Sequence, residues 1–288
     1  MWRKVFKIIG LYSRERSPAG ITLLISVLLL APVIKHPVHP VVLFTGILSA
    51  VLMLFLIRLS DDLCDLGIDR IAHPERLLCR DQFSVSILKR CRWLVTGPLI
   101  VMNTVAAAHP VAMLIFLLSA LLICSLFFFI KPWLPTLVHT ALLNAMLGIF
   151  PCYAGVLTTG HIGMAHLLMA LFFWLGSFAH DLSHSLLDTA HTPPGQLKPL
   201  NRFNQKTLAM TSLALYLLSA GTGYLLFHYQ AVSSVFLAAL GICTLVIIRL
   251  ECALIRHPTR NTARPFYVWG YLFFLLPVLA DIAFHLFH

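Results

Sequence analysis

Nine apolar runs are spaced along the chain, at about 17–34, 40–57, 93–108, 111–130, 136–157, 161–179, 207–227, 231–248 and 266–285. Each is roughly 16–22 residues long, the length that carries a helix across the hydrocarbon core of a bilayer. The pattern predicts an all-α, polytopic membrane protein with about nine transmembrane helices. Ahead of the first run, residues 1–16 interleave Trp2, Phe6, Ile9 and Tyr12 with Arg3, Lys4 and Lys7. That alternation suits a short helix lying on the membrane surface; a frayed basic tail is the alternative. No small-residue cleavage site follows it, so no cleavable signal peptide is expected.

Composition sharpens this reading. Hydrophobic residues make up 59% of the chain and charged residues 11%, against about 25% charged in a soluble domain. The formal net charge of +10 invites a nucleic-acid partner, but the placement of the bases excludes one. If nine spans are threaded through the membrane, twenty of the 21 Lys and Arg fall on one side, in 1–16, 58–92, 131–135, 180–206 and 249–265, and only Lys35 falls on the other. So strong an asymmetry assigns those segments to the cytoplasm and the C-terminus to the outside. The bases there also attract anionic headgroups and anionic lipid substrates. Of the eleven acids only Asp281, within the last run, is on the far side. The seven cysteines form no Cys-x-x-Cys pair and are expected to be unpaired, mostly apolar fillers.

Against this background "SDDLCDLGID", Ser60 to Asp69, is anomalous. Asp62, Asp65 and Asp69 stand at i, i+3 and i+7, neighbouring positions on one helix face, at the cytoplasmic end of the second run. Three carboxylates on one face repel one another unless cations neutralise them. An oxygen-rich set of this kind suits Mg²⁺, which takes one or two carboxylates and completes its shell with phosphate oxygens and water. "FAHDLSHSLLDTAH" repeats the spacing with Asp181, His184 and Asp188 at the end of the sixth run. A single cluster would read as a solvated helix end. Two of matched spacing, at equivalent ends of two spans, suggest halves of one site that clamps a diphosphate through shared Mg²⁺.

Phosphates also need positive groups. Lys131 is the only charge in its short loop; Arg58, Arg70, Arg76 and Arg80 flank the first cluster, and Lys198, Arg202 and Lys206 follow the second. Arg chelates phosphate oxygens in pairs, whereas Lys acts as a point charge. Lys89, Arg90, Arg92 and the bases of 249–264 read as headgroup anchors.

These residues resemble the UbiA superfamily of intramembrane prenyltransferases. That family's first motif, Asn-Asp-x-x-Asp-x-x-x-Asp, is matched by "DDLCDLGID" with "HPER" behind it. Its second, Asp-x-x-Asp-x-x-x-Asp, is matched by "DLSHSLLD". "KPWLPTLVHTALLNAMLG" is similar to its Lys-containing loop and next span, with Lys131 and Asn144 in place. The resemblance covers the whole chain as one domain. It implies a helical bundle around a central cavity open sideways to lipid, with Mg²⁺ as cofactor. Asp62, Asp65, Asp69, Asp181 and Asp188 would hold the metal and the diphosphate of an isoprenyl donor, with Lys131 and Arg76 on the phosphate oxygens. Two positions depart from it. Asp61 replaces Asn and adds a charge that Arg58 is placed to offset. His184 replaces a carboxylate: it would ligate metal weakly, touch substrate, or hydrogen-bond a neighbouring acid.

The chemistry implied is ionisation of an allylic diphosphate, with Asp62, Asp65, Asp181, Lys131 and His184 as candidate catalytic groups. Arg58, Arg76, Lys131, Asn144, Tyr153 and Arg202 are the candidate substrate contacts. Phe127, Phe128, Phe129, Phe172, Phe173 and Trp174 offer further ring faces to a carbocation, although most such rings only pack. His180 or His184 would take the proton of an aromatic acceptor. The expected partners are the isoprenyl diphosphate donor, a hydrophobic aromatic or lipid acceptor, and membrane lipids. A terpene cyclase that quenches the cation on its own double bonds is the runner-up. A non-catalytic diphosphate-binding or transport protein fits less well, since the acids lie at span ends rather than within spans. A CDP-alcohol phosphotransferase lacks its Ala-Arg core here, and a histidine-box oxidase lacks enough clustered histidines.

Overall fold

The computed structural model describes residues 2–31, 38–80, 85–188 and 204–287. All regular structure among them is helical: α1 Trp2–Arg16, α2 Ala19–Leu29, α3 Pro40–Cys64, α4 Leu66–Ala72, α5 Val85–Ala106, α6 Pro110–Ile130, α7 Thr136–Ala145, α8 Ile149–Thr159, α9 Met164–Asp188, α10 Gln205–His228, α11 Ser234–Arg256, α12 Arg260–Ala263 and α13 Phe266–Phe287, with 3₁₀ turns at Leu77–Cys79, Lys131–Trp133 and Met146–Gly148. Among the described residues seven helical segments are long and apolar enough to cross a membrane: 40–64, 110–133, 136–159, 164–184, 205–228, 234–256 and 260–287. The other two expected spans fall on α2, which is shorter, and on α5, whose first turns carry Lys89, Arg90 and Arg92. The protein is an all-helical, polytopic integral membrane protein. All seven cysteines are free, as their spacing predicts.

The chain forms two compact units, residues 1–133 with 153–161, and residues 134–152 with 162–288. In the first unit α3 packs on α2, α5 and α6. Helix boundaries follow local chemistry. Pro40 and Pro110 sit in the first turns of α3 and α6, where the missing N–H costs nothing. Gly160 (φ +75°) ends the α8 segment in a backbone conformation that suits glycine and lies against the His109 ring. The fifth apolar run is not one continuous α-helix. Pro151 cannot donate to the carbonyl four residues back, and the chain relaxes into the 3₁₀ turn at 146–148 before α8 resumes. At the centre of this unit Tyr153 donates to Asn103 Oδ1 (2.5 Å), and Asn103 Nδ2 donates to Ser49 Oγ (2.7 Å). This network satisfies polar groups that lipid could not.

The N-terminal segment is a helix and not a frayed tail, and one face of it docks on protein. Ile8 and Tyr12 are buried with Phe55, Leu59, Leu78, Leu88 and Cys91 in one apolar cluster. Glu15 fastens it further by accepting from the Leu77 backbone N–H (3.1 Å).

In the second unit α9 packs on α7, α10 and α13, and α11 bridges α10 and α13. Ser233 and Asn204 cap α11 and α10 with their side chains. Asp281, the one acid expected on the far side, has a structural role. It is buried in α13 and accepts from the Ser233 backbone N–H (2.7 Å), fixing the α10–α11 turn. Glu251, expected in a cytoplasmic segment, lies fully buried within α11, where Ser212 donates to it.

Candidate functional site: two carboxylate clusters

The first cluster belongs to the first unit. Its three spaced aspartates do not share one straight helix face. α3 ends at Cys64 and α4 starts at Leu66, with Asp65 at the joint (φ −87°, ψ 1°). The kink turns the carboxylates toward different partners, and each meets a base. Asp62 is buried. It receives Arg16 Nη2 on Oδ1 (2.6 Å), Arg16 Nε on Oδ2 (2.9 Å) and the Tyr12 hydroxyl on Oδ2 (2.7 Å), with Arg58 Nη2 3.5 Å from Oδ1. Lys131, 6% exposed at the 3₁₀ turn after α6, reaches Asp61 Oδ1 (2.5 Å) and both oxygens of Asp65 (2.9 and 2.8 Å). Asp69 receives Arg76 Nη1 (2.6 Å).

The extra charge of Asp61 is therefore offset mainly by Lys131; Arg58 stands 3.9 Å away. Arg76 and Lys131 are where the sequence places them, beside carboxylates. Tyr12 and Arg16 are the residues that sequence reasoning missed. Burial pushes the Tyr12 phenol far above its ordinary pKa, and the Asp62 charge adds to this. For Arg16, burial alone would lower the pKa, but the hydrogen bond and charge of Asp62 outweigh it and raise the value.

The second cluster belongs to the second unit. Asp181, on α9, accepts from Asn144 Nδ2 (2.7 Å), which also donates to the Thr140 carbonyl (2.9 Å). His184 lies in a row of rings. Its ring is 5.4 Å from that of His180 and 5.6 Å from Tyr267, and His180 is 4.3 Å from Tyr271. The row owes its closeness to Gly270, where an added Cβ would collide with the His180 ring and lie 2.9 Å from the Tyr216 hydroxyl. Asp188 ends α9, and its side chain lies outside the described residues, as does Arg202 altogether.

The other rings named as cation contacts are mostly packing groups. Tyr153, Phe172 and Phe173 are fully buried, Phe127 and Phe128 nearly so, and Trp174 donates to the Ala141 carbonyl (2.9 Å). Tyr153 in particular is committed to the Asn103 network rather than to an open surface.

Among the described residues no three of His, Cys, Asp and Glu converge as a ready metal cage. The first cluster still suits Mg²⁺ by its donor chemistry. All its acids are carboxylates, Asp65 is 38% exposed at the side chain, and Mg²⁺ asks for only one or two protein carboxylates where phosphate supplies the rest. His184 is a poorer donor for that ion.

An all-helical integral membrane protein with paired acids and bases at span ends is the class that fold and site define. No protein-family model matches the chain, and no curated protein matches it in sequence. Solved structures do. A structure from work on digeranylgeranylglyceryl phosphate synthase in membranes superposes with a TM-score of 0.69 at 15% identity, covering 96% of this chain and 99% of that one. The apo structure of a UbiA homologue from Aeropyrum pernix K1 does so with a TM-score of 0.69 at 14% identity, covering 93% and 96%. The chain has the UbiA fold over nearly its full length, as its motifs led us to expect. At these identities the likeness establishes the fold alone.

Proposed function

We propose that the protein is a Mg²⁺-dependent intramembrane prenyltransferase. It would ionise an isoprenyl diphosphate and pass the prenyl group to a hydrophobic acceptor. The observation that carries this reading is the first cluster: four carboxylates interleaved with Arg16, Arg58, Arg76 and Lys131 at a span end. An acidic patch alone would suit any cation, and a basic patch any headgroup. Interleaving the two suits a ligand that is itself a metal–polyanion complex. The UbiA fold supports the reading, and so does the prenylated product in the name of one structural neighbour.

When bound, Mg²⁺ would supply neutralisation of the leaving diphosphate. Asp62, Asp65, Asp69, Asp181 and Asp188 would hold it. Lys131 and Arg76 would move from their carboxylates onto phosphate oxygens, and Arg58 and Arg202 would assist. In the ionisation the C1–O bond breaks and its electron pair leaves on the diphosphate oxygen. The allylic cation then takes an electron pair from the acceptor, which loses a proton to His180, His184 or solvent. Asn144 would steady Asp181 during these changes. We assign the motif end of the spans to the cytoplasmic face and the C-terminus to the other, from the distribution of bases.

A cyclase is the second reading. It is favoured by the placing of His184 among aromatic rings, at the position where the family's motif has a carboxylate. One experiment separates the two. Purified protein is incubated with Mg²⁺ and allylic diphosphates of several lengths, with and without phenolic and lipid acceptors. Diphosphate release only with an acceptor is expected; release with a new hydrocarbon and no acceptor would mark a cyclase. No release from any donor would overturn both.

A further inference from the structure

We propose that Glu251, Tyr216 and His180 form a buried site for a proton and ordered water within the second unit. Glu251 holds the proton as a neutral carboxylic acid, and water carries it toward His180. The charge pattern puts Glu251 in a cytoplasmic segment, yet it lies fully enclosed in α11. An ionisable group inside a span is costly, and such groups mark proton relays or ion paths. Ser212, on α10, donates to Glu251 Oε1. Among the described residues no Lys or Arg pairs with the acid, and its neighbours in sequence Arg249, Arg256, Arg260 and Arg264 are exposed. A carboxylate left alone in such surroundings neutralises itself by keeping a proton.

Around it three buried polar atoms, on three helices, have no hydrogen-bond partner among the described residues. They are Glu251 Oε2 on α11, the Tyr216 hydroxyl on α10 and His180 Nδ1 on α9. Glu251 and Tyr216 are fully buried, and His180 is 4% exposed. Ser212 and Tyr216 are one turn apart on α10, so the residue that holds Glu251 also brings Tyr216 to its side. Glu251 lies within electrostatic reach of Tyr216. Gly270 of α13 links the other two: a Cβ there would collide with His180 Nδ1 and lie 2.9 Å from the Tyr216 hydroxyl, so both atoms face one point. Ser183 stands beside that hydroxyl and the Phe266 carbonyl beside His180, neither in hydrogen-bonding geometry to these atoms. Also facing the set are Asp181 and His184 on α9 and Tyr271 on α13.

Leucine or phenylalanine would fill these places without stranding a polar atom. A buried water asks for about two to four polar partners, and the set supplies them. With water in place the groups make a track. A proton leaves Glu251 Oε2 for the water, which gives one of its own to His180 Nδ1. The acid becomes a carboxylate, the imidazole an imidazolium, and the water is restored. Every group named belongs to the second unit, and the site asks nothing of the first carboxylate cluster.

The test uses full-length protein in lipid nanodiscs, with the side-chain carboxyl carbon of glutamate labelled with ¹³C. Only Glu15, Glu75 and Glu251 then report, and infrared spectra separate a carboxylic acid from a carboxylate. At neutral pH one acid band is expected in wild type, Glu15→Gln and Glu75→Gln, and none in Glu251→Gln. In heavy water the band should shift as the proton exchanges. Exchange should slow at least about ten-fold in Tyr216→Phe and in His180→Leu, since each removes one link of the track. Helical content is checked for every variant, and the spectra of wild type and of the two exposed-glutamate variants decide the protonation state even where Glu251→Gln does not fold. The proposal is overturned if wild type shows no acid band, as an ionised Glu251 holding a sodium ion would. It is equally overturned if the band survives Glu251→Gln, if it does not exchange in wild type, or if either relay variant exchanges at the wild-type rate.

Discussion

The two acidic clusters share a spacing in sequence but differ in the partners that the described residues bring to them. Around Asp61, Asp62, Asp65 and Asp69 every carboxylate meets Arg or Lys, and the cluster holds four bases. Among the described residues Asp181 accepts from the amide of Asn144, and His184 stands in a row of His and Tyr rings. Identical spacing therefore does not mean identical partners. The first arrangement suits a ligand rich in negative charge that arrives with metal, because its bases can exchange a carboxylate for a phosphate. The second, among the described residues, offers an amide and aromatic faces.

This contrast breaks most sharply at Lys131, which serves two carboxylates at once. Lys131→Ala should reduce turnover by about 10²–10³-fold, as loss of a single preorganised charge-stabilising donor typically does. Lys131→Arg should recover part of it. Steady-state assays with an allylic diphosphate would decide, and near-normal activity in the alanine variant would make Lys131 a headgroup anchor. Next in size is Asp62. Asp62→Ala leaves the half-buried Arg16 and the Tyr12 hydroxyl without their acceptor, so we expect loss of most activity and a destabilisation of about 3 kcal/mol. A thermal melt in detergent reads the second quantity; an unchanged melt would show that α1 is held by its apolar face alone. Gly270→Ala forces a methyl group into the His180 ring and should destabilise by about 1–3 kcal/mol. A thermal melt in detergent checks this, and an unchanged melt would show that the His180 ring has room to move aside. The smallest effect belongs to Tyr12→Phe, which removes one of several donors to Asp62 and should cost about 1 kcal/mol with little change in turnover.

The fold was largely legible, because span length and the run of apolar residues are local properties. Among the described residues every apolar run falls on helical structure, and both acid clusters stand toward helix ends where the pattern puts them. Two breaks escaped. Pro151 interrupts the fifth run, and the chain kinks at Asp65 just ahead of Gly67, so the three aspartates that a regular helix would align are turned apart. Candidate bases were legible as types, but not their pairing. Arg16 lies 46 positions from Asp62 and Lys131 lies 66 from Asp65, and nothing local reports such contacts. The N-terminal segment illustrates the same limit. Its basic-apolar alternation is real, but the apolar face is spent on Phe55, Leu59 and Leu88. Tyr267, Gly270 and Tyr271 were invisible for the same reason: their meaning depends on which face α13 turns toward α9.

The most direct measurement is equilibrium binding of a non-ionisable allylic diphosphate analogue, with and without Mg²⁺, to wild type, Asp65→Ala and Lys131→Ala. The account predicts tight binding by wild type only when Mg²⁺ is present, and at least about ten-fold weaker binding in both variants. Binding that ignores Mg²⁺, or that survives both substitutions intact, would contradict it.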